Sequence, residues 1–216
     1  MNTKKKNIFN NFSMTFKIVL INILLFVLFS VALNFNSGYL DSIALKPSNI
    51  VEGKYLWTFL TSMFMHGGFF HIFANMFSLF FIGSLTEKIL GSKRYSWFYL
   101  VSGLFAGLFF VLSSLIWASD FNTYAVGASG ALFGLVGLLV ILTPNLPVYV
   151  MFIPIPIKMK YAGPGILIVL WLISIAGNIG IGNTAHLGGL IVGLIYGFYL
   201  RKKFPNKTMH LNKVFS

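Results

Sequence analysis

Two short segments hold the parts of a serine hydrolase: Gly127-Ala128-Ser129-Gly130, and Ala185-His186-Leu187-Gly188-Gly189 nearly sixty residues later. A serine hydroxyl is a weak nucleophile until a base takes its proton, and an imidazole, with its near-neutral pKa, suits that task. Both segments open apolar stretches. A third polar group, His66, His71 and Asn75, interrupts another apolar stretch upstream. Ionisable groups are costly inside a bilayer and mark function there, so the pattern points to chemistry done within a membrane. With no cysteine in the chain, thiol catalysis, disulfides and cysteine-ligated metal are excluded, and the hydroxyl must supply the nucleophile.

The elements that must position these residues are membrane helices. Of 216 residues, 57% are hydrophobic and only 9% charged, and the mean hydropathy is +0.83, far from the norm for a soluble domain. A formal charge of +12 raises the question of nucleic acid. The basic residues flank apolar runs instead of interleaving with aromatics on one face, so no nucleic-acid partner is expected.

Apolar runs at Thr15–Asn36, Phe64–Thr86, Tyr95–Trp117, Ser129–Thr143, Gly165–Ile181 and Ala185–Leu200 give six spans, each near the ~20 residues a crossing helix needs and two of them short. Basic residues cluster before the first span (Lys4, Lys5, Lys6, Lys17), between the second and third (Lys88, Lys93, Arg94), between the fourth and fifth (Lys158, Lys160) and after the sixth (Arg201, Lys202, Lys203, Lys207, Lys213). Only Lys46 and Lys54 fall on the other side, so both termini are expected to be cytoplasmic. The expected fold is all-α: a polytopic six-helix bundle with a short central fourth helix. Residues 15–200 form the membrane domain between an N-terminal tail (1–14) and a basic C-terminal tail (201–216). The first span is longer than a signal-peptide core and lacks a small-x-small cleavage site, which makes it a retained helix. Asn36–Leu60 is expected to be an ordered outer loop dipping into the interface.

Helix rise brings the polar residues to one depth. The fourth span, bounded by loop-like Asn122–Ala128 and by Thr143-Pro144-Asn145, is only ~21 Å long, so Ser129 starts below the outer surface. Irregular backbone before it is tolerated only where protein or water satisfies it. Counting back from Arg201 puts His186 at ~22 Å, and counting from Lys88 puts Asn75 at ~20 Å and His71 at ~26 Å, with His66 near the outer surface. The small faces Gly130-x-x-x-Gly134 and Gly189-x-x-x-Gly193-x-x-x-Gly197 allow the fourth and sixth spans to touch, with His186 on the glycine face.

The only acids are Asp41, Glu52, Glu87 and Asp120, at the ends of spans or in loops. A Ser129/His186 dyad is therefore expected instead of a triad, its ring held by packing and by Asn183, with Phe133 one turn from Ser129 lying against it. Oxyanion donors are the Ser129 N–H, the Asn75 amide and a ring N–H of His71. Blander readings exist for each part: Ser129 as a small packing residue, His186 as a satisfied buried histidine, His71 and Asn75 as interhelical ties, His66 as a brace for the loop. Two rival functions follow, a small transporter or channel with a polar path, and a catalytically inert binder of membrane helices.

In order and spacing these motifs resemble the rhomboid family of intramembrane serine proteases. His66-Gly-Gly-Phe-Phe-His71-Ile-Phe-Ala-Asn75 resembles its second-helix pattern, Gly127-Ala128-Ser129-Gly130 its Gly-x-Ser-Gly motif, and Ala185-His186-x-x-Gly189-x-x-x-Gly193 its final-helix pattern. The resemblance covers about Tyr55 to Leu200. It implies Ser129 as nucleophile, His186 as base and then acid, and His71, Asn75 and the Ser129 amide around the oxyanion, with Gly127 as support. It further implies Phe133 stacked on His186 and Glu87 in a cytoplasmic hydrogen-bond network. Substrates would be single-pass membrane proteins entering from the bilayer by the second and fifth helices, with no metal or organic cofactor. One departure is that Thr58 follows Trp57, where the family commonly carries Trp-Arg.

Overall fold

A computed structural model describes residues 12–150, 154–177 and 180–215. Lys4, Lys5, Lys6 and residues 178–179 of the expected fifth span lie outside the described residues. Six helices form the bundle: α1 (Met14–Phe35), α2 (Phe69–Leu90), α3 (Ser92–Ser114), α4 (Ser129–Leu142), α5 (Met159–Gly177) and α6 (Asn183–Lys203). A further helix, α7 (Pro205–Val214), follows α6. α1, α2, α3 and α5 are long and apolar enough to cross a membrane. Large apolar side chains such as Leu24, Phe70, Phe81, Leu112, Ile168 and Leu172 point outward from these four helices, as a lipid-facing surface requires. The chain is a multi-pass membrane protein.

α4 is the hub. Its fourteen residues reach only ~20 Å, and twelve of them are buried among α3, α5 and α6. A helix apolar on all sides belongs in an interior. Close approach follows from its glycines. A Cβ on Gly189 would overlap the carbonyl oxygen of Gly130, and one on Gly193 would overlap that of Gly134 and lie 2.8 Å from the Leu138 nitrogen. Across the other face, Gly130 stands over Ala106, where an added Cβ would come within 2.7 Å.

Helix boundaries and regularity differ from the sequence expectation, most at α2, α5 and the C-terminal end. α2 begins at Phe69, not Phe64, because the chain turns at His66-Gly67-Gly68, with Gly68 at φ 150°. One turn of π-helix, Leu79–Gly83, widens α2 midway, so the uniform-rise depth count from Lys88 overstates the height of Asn75 and His71. α5 begins at Met159, six residues before the expected start of the span at Gly165, and runs through Gly163-Pro164-Gly165. Proline here removes one helix donor, while Met159 and Gly163, both ahead of it, pack against α4. The expected basic tail is also helical, as the end of α6 and α7. A two-residue hairpin, β1 (Pro147–Val148) with β2 (Ile157–Lys158), joins α4 to α5.

Glu87 ties two helix starts together. Its Oε1 accepts from the Met14 N–H (2.8 Å) and the Ser92 hydroxyl (2.6 Å), and its Oε2 from the Thr15 N–H and hydroxyl (both 2.8 Å). These N–H groups are first-turn donors with no intrahelical partner, and a carboxylate suits the positive end of the helix. Glu87→Ala is expected to destabilise the protein by about 2–4 kcal/mol in thermal unfolding in detergent, with Glu87→Gln costing less because it keeps an acceptor. Equal melting of all three proteins would contradict this role.

The loop between α1 and α2 is ordered by short helical turns at Leu40–Ile43, Pro47–Val51 and Thr58–Thr61. Its polar anchor is Asp41, which accepts from the Tyr124 hydroxyl (2.8 Å) and Asn49 Nδ2 (2.9 Å), with Lys46 Nζ at 3.8 Å. Where the family commonly has arginine, Thr58 is buried and donates to the Tyr55 carbonyl, while the neighbouring Trp57 indole donates to the Ser42 carbonyl. The Tyr124 and Asn49 hydrogen bonds hold the Asp41 carboxyl below its usual range against the opposing effect of burial, and Lys46 adds to the lowering. A depressed carboxyl stabilises the fold above its unfolded pKa, and that contribution is lost as pH falls through the folded value. Tryptophan fluorescence is therefore expected to report loosening of the loop below about pH 4, and Asp41→Asn to remove that transition. A transition of equal size in the variant would contradict it.

Candidate active site

The site lies where α2, α4 and α6 meet under the segment 124–128. Ser129 is the first residue of α4, half-buried, and its hydroxyl is 2.7 Å from His186 Nε2. His186 sits in the first turn of α6, buried to 7% exposure, three residues ahead of Gly189. The glycine contacts below the pair bring the two backbones close enough for a serine and a histidine to meet side chain to side chain. The His186 ring stacks on Phe133, with centroids 4.6 Å apart and an interplanar angle of 22°.

No carboxylate reaches the imidazole: among the described residues His186 Nδ1 has no hydrogen-bond partner. Asn183 does not hold the ring. Its side-chain oxygen is buried without a partner, as is His186 Nδ1, although a three-residue spacing puts the two on one helix face. Packing on Phe133 orients the ring instead.

His71 stands on the first turn of α2. Its Nδ1 accepts from the Gly67 N–H (3.2 Å), which leaves the ring proton on Nε2. That Nε2 faces the chain just before the serine: a Cβ on Gly127 would lie 2.7 Å from it, and Gly127, at φ 110°, has the conformation a glycine favours. Asn75, one turn further and buried, donates one amide proton to the His71 carbonyl (2.8 Å) and keeps a second. His66 is not part of this donor set. Its Nε2 accepts from the Ala128 N–H (3.4 Å) while Nδ1–H faces the Phe64 carbonyl (3.3 Å), so the ring braces the segment that delivers Ser129.

Backbone contacts invisible to motif reading complete that brace. The Gly127 N–H donates to the Ser62 carbonyl (2.8 Å), and Leu45 and Ala125 exchange two hydrogen bonds of 3.1 and 2.8 Å as an isolated antiparallel bridge. A single bridge has no periodicity, and nothing in its residue types announces it.

A cavity of about 640 Å³ opens onto Ser129, His186, His71 and Asn75. Its wall continues along Ala74, Ser78 and Ile82 of α2 and Ile166 and Leu170 of α5. Preformed space beside a hydrogen-bonded nucleophile and base, with ring and amide N–H donors near, is an arrangement suited to acyl transfer.

Comparison with known proteins gives one consistent result. The family described as the Rhomboid domain matches residues 53–203. RHOMBOID-like protein 1 of Arabidopsis thaliana is 38% identical over 160 residues, covering 72% of this chain and 37% of the relative. Rhomboid protein 1, mitochondrial, of Saccharomyces cerevisiae is 28% identical over 172 residues (76% and 47%), and the Rhomboid protease GluP of Bacillus subtilis 27% over 198 residues (86% and 35%). The chain spans less than half the length of each of these relatives.

Proposed function

The chain belongs to the rhomboid family, and from that premise we propose that it is an intramembrane serine endopeptidase that cuts transmembrane segments of single-pass membrane proteins. The observation that carries this reading is the 2.7 Å contact between the Ser129 hydroxyl and His186 Nε2 within a membrane-spanning bundle, at the wall of a cavity.

In the proposed reaction Ser129 Oγ attacks the scissile carbonyl carbon as its proton passes to His186 Nε2. The carbonyl oxygen becomes an oxyanion, for which the Ser129 N–H, the His71 Nε2–H and the free Asn75 amide proton are the donors. Collapse breaks the C–N bond, and His186 returns the proton to the leaving amine. Water then enters, gives a proton to His186 and a hydroxyl to the acyl carbon, and as the acyl–oxygen bond breaks His186 passes that proton to Ser129 Oγ, restoring the hydroxyl and the neutral ring. The imidazolium formed at each step has no carboxylate to neutralise it; the Phe133 ring face beneath it supplies a cation–π contact in compensation. Atoms balance without a cofactor.

The cavity wall between α2 and α5 supports lateral arrival of an unwound substrate segment from the bilayer. The distribution of lysine and arginine supports both termini on the cytoplasmic side, and the membrane in this reading is the cell membrane. In this reading residues 15–200 are the membrane domain. The test is reconstitution of the purified chain with a single-pass reporter and mass spectrometry of the fragments. Cleavage within the reporter's apolar segment is expected; an intact reporter, or cuts confined to its aqueous parts, would contradict the proposal.

A further inference from the structure

At the end of the bundle opposite the serine, positive charge gathers in excess. Arg94 at the start of α3, Lys203 at the end of α6 and Lys207 on α7 all converge on one ring, Phe204, at 5.9, 5.8 and 5.7 Å from its centroid. The chain has four acids in all. Asp41 and Asp120 lie in loops on the serine side, Glu52 pairs with Lys54, and Glu87 is engaged by Met14, Thr15 and Ser92. Glu87 is the one acid at this end, and its single negative charge faces Lys88, Arg94, Lys203 and Lys207, so the cluster stays strongly positive.

Beside it, α7 and the last turns of α2 enclose an open cavity of about 570 Å³. Lys88, Lys207 and His210 form its polar side, and Leu85, Ile89 and Leu211 its apolar side. These residues stand at the ends of the spans, at the level of a bilayer's polar headgroups. Cations on one side and aliphatic side chains on the other match a molecule with an anionic head and a hydrocarbon tail. Zwitterionic lipid would bring its own cation into a site already crowded with them.

We propose that this cavity is a binding site for an anionic phospholipid, its phosphate between Lys88 and Lys207 and the first part of an acyl chain along Leu85, Ile89 and Leu211. The assignment is independent of catalysis at Ser129.

The test uses the full chain in nanodiscs of phosphatidylcholine containing a small fraction of spin-labelled phosphatidylglycerol or spin-labelled phosphatidylcholine. The immobilised component is expected to favour phosphatidylglycerol, and the Lys88→Gln/Lys207→Gln variant to lose roughly 25-fold of that preference, about fivefold per cation. Lys88→Arg/Lys207→Arg, which keeps both charges, is expected to retain it. In the wild type the preference should fall as salt rises, a measurement that needs no variant. Equal immobilisation of the two lipids by the wild type, a preference insensitive to salt, or equal loss in the Gln and Arg variants would overturn the assignment.

Discussion

Replacing Ser129 with alanine is expected to slow cleavage of a transmembrane reporter by at least about 10⁴-fold, with His186→Ala losing a comparable amount. The double variant should be no worse than either single one, because nucleophile and base act as a unit and removing one leaves the other without a task. The change removes one hydroxyl whose partner is His186 Nε2, so the fold should lose only about 1 kcal/mol. Initial rates measured by mass spectrometry, alongside melting curves in detergent, separate the two effects. Activity within tenfold of wild type in either single variant would contradict the proposed roles.

Gly193→Val should produce the largest loss of stability. At this position an added Cβ meets backbone and not a flexible side chain: it overlaps the Gly134 carbonyl oxygen and comes within 2.8 Å of the Leu138 nitrogen and 2.9 Å of Gly137 Cα. Neither helix can yield locally, so α6 must move away from α4. We expect a loss of about 3 kcal/mol or more. His186 is two turns up the same face and moves with its helix, and a displacement near 1 Å at a reacting pair costs about 10²-fold in rate. Gly165→Ala is the control, since nothing lies within 4 Å of its added Cβ and alanine favours the helix. Melting and rate should stay near wild type in Gly165→Ala and fall together in Gly193→Val; parallel behaviour of the two variants would contradict the packing argument.

The meeting of α4 and α6 was legible because two independent regularities report it. Helix rise converts residue number into depth, and glycines three or four apart mark the face where backbones touch. Phe133 was legible for the same reason, lying one turn from Ser129. What sequence misplaced were boundaries and isolated contacts. Phe64 and Met65 read as the start of the second span, yet the positive φ of Gly68 delays α2 until Phe69. Gly165 reads as the start of the fifth span, yet α5 begins six residues earlier and continues through Pro164. Asn183 has the right chemistry to hold an imidazole but points elsewhere, and a partnerless Nδ1 is a fact of orientation that residue types do not encode. The brace of Ser62, Leu45 and Ala125 behind the serine is made of backbone groups, which every residue possesses.

His71 and Asn75 show a finer division. Their four-residue spacing fixed a common face, but only the Gly67 N–H at Nδ1 identifies which His71 nitrogen holds the proton and faces Gly127. The local hydrogen bond therefore decides whether the ring offers a donor or an acceptor toward the cavity.

The central claim is that Ser129 is a nucleophile because His186 takes its proton. A fluorophosphonate probe applied to the reconstituted protein tests it directly, since the probe modifies an activated serine and ignores an ordinary hydroxyl. We expect one adduct, mapped to Ser129 by peptide mass spectrometry, and its disappearance in a folded His186→Ala variant. Labelling of another residue, or an undiminished adduct at Ser129 when His186 is alanine, would contradict the account.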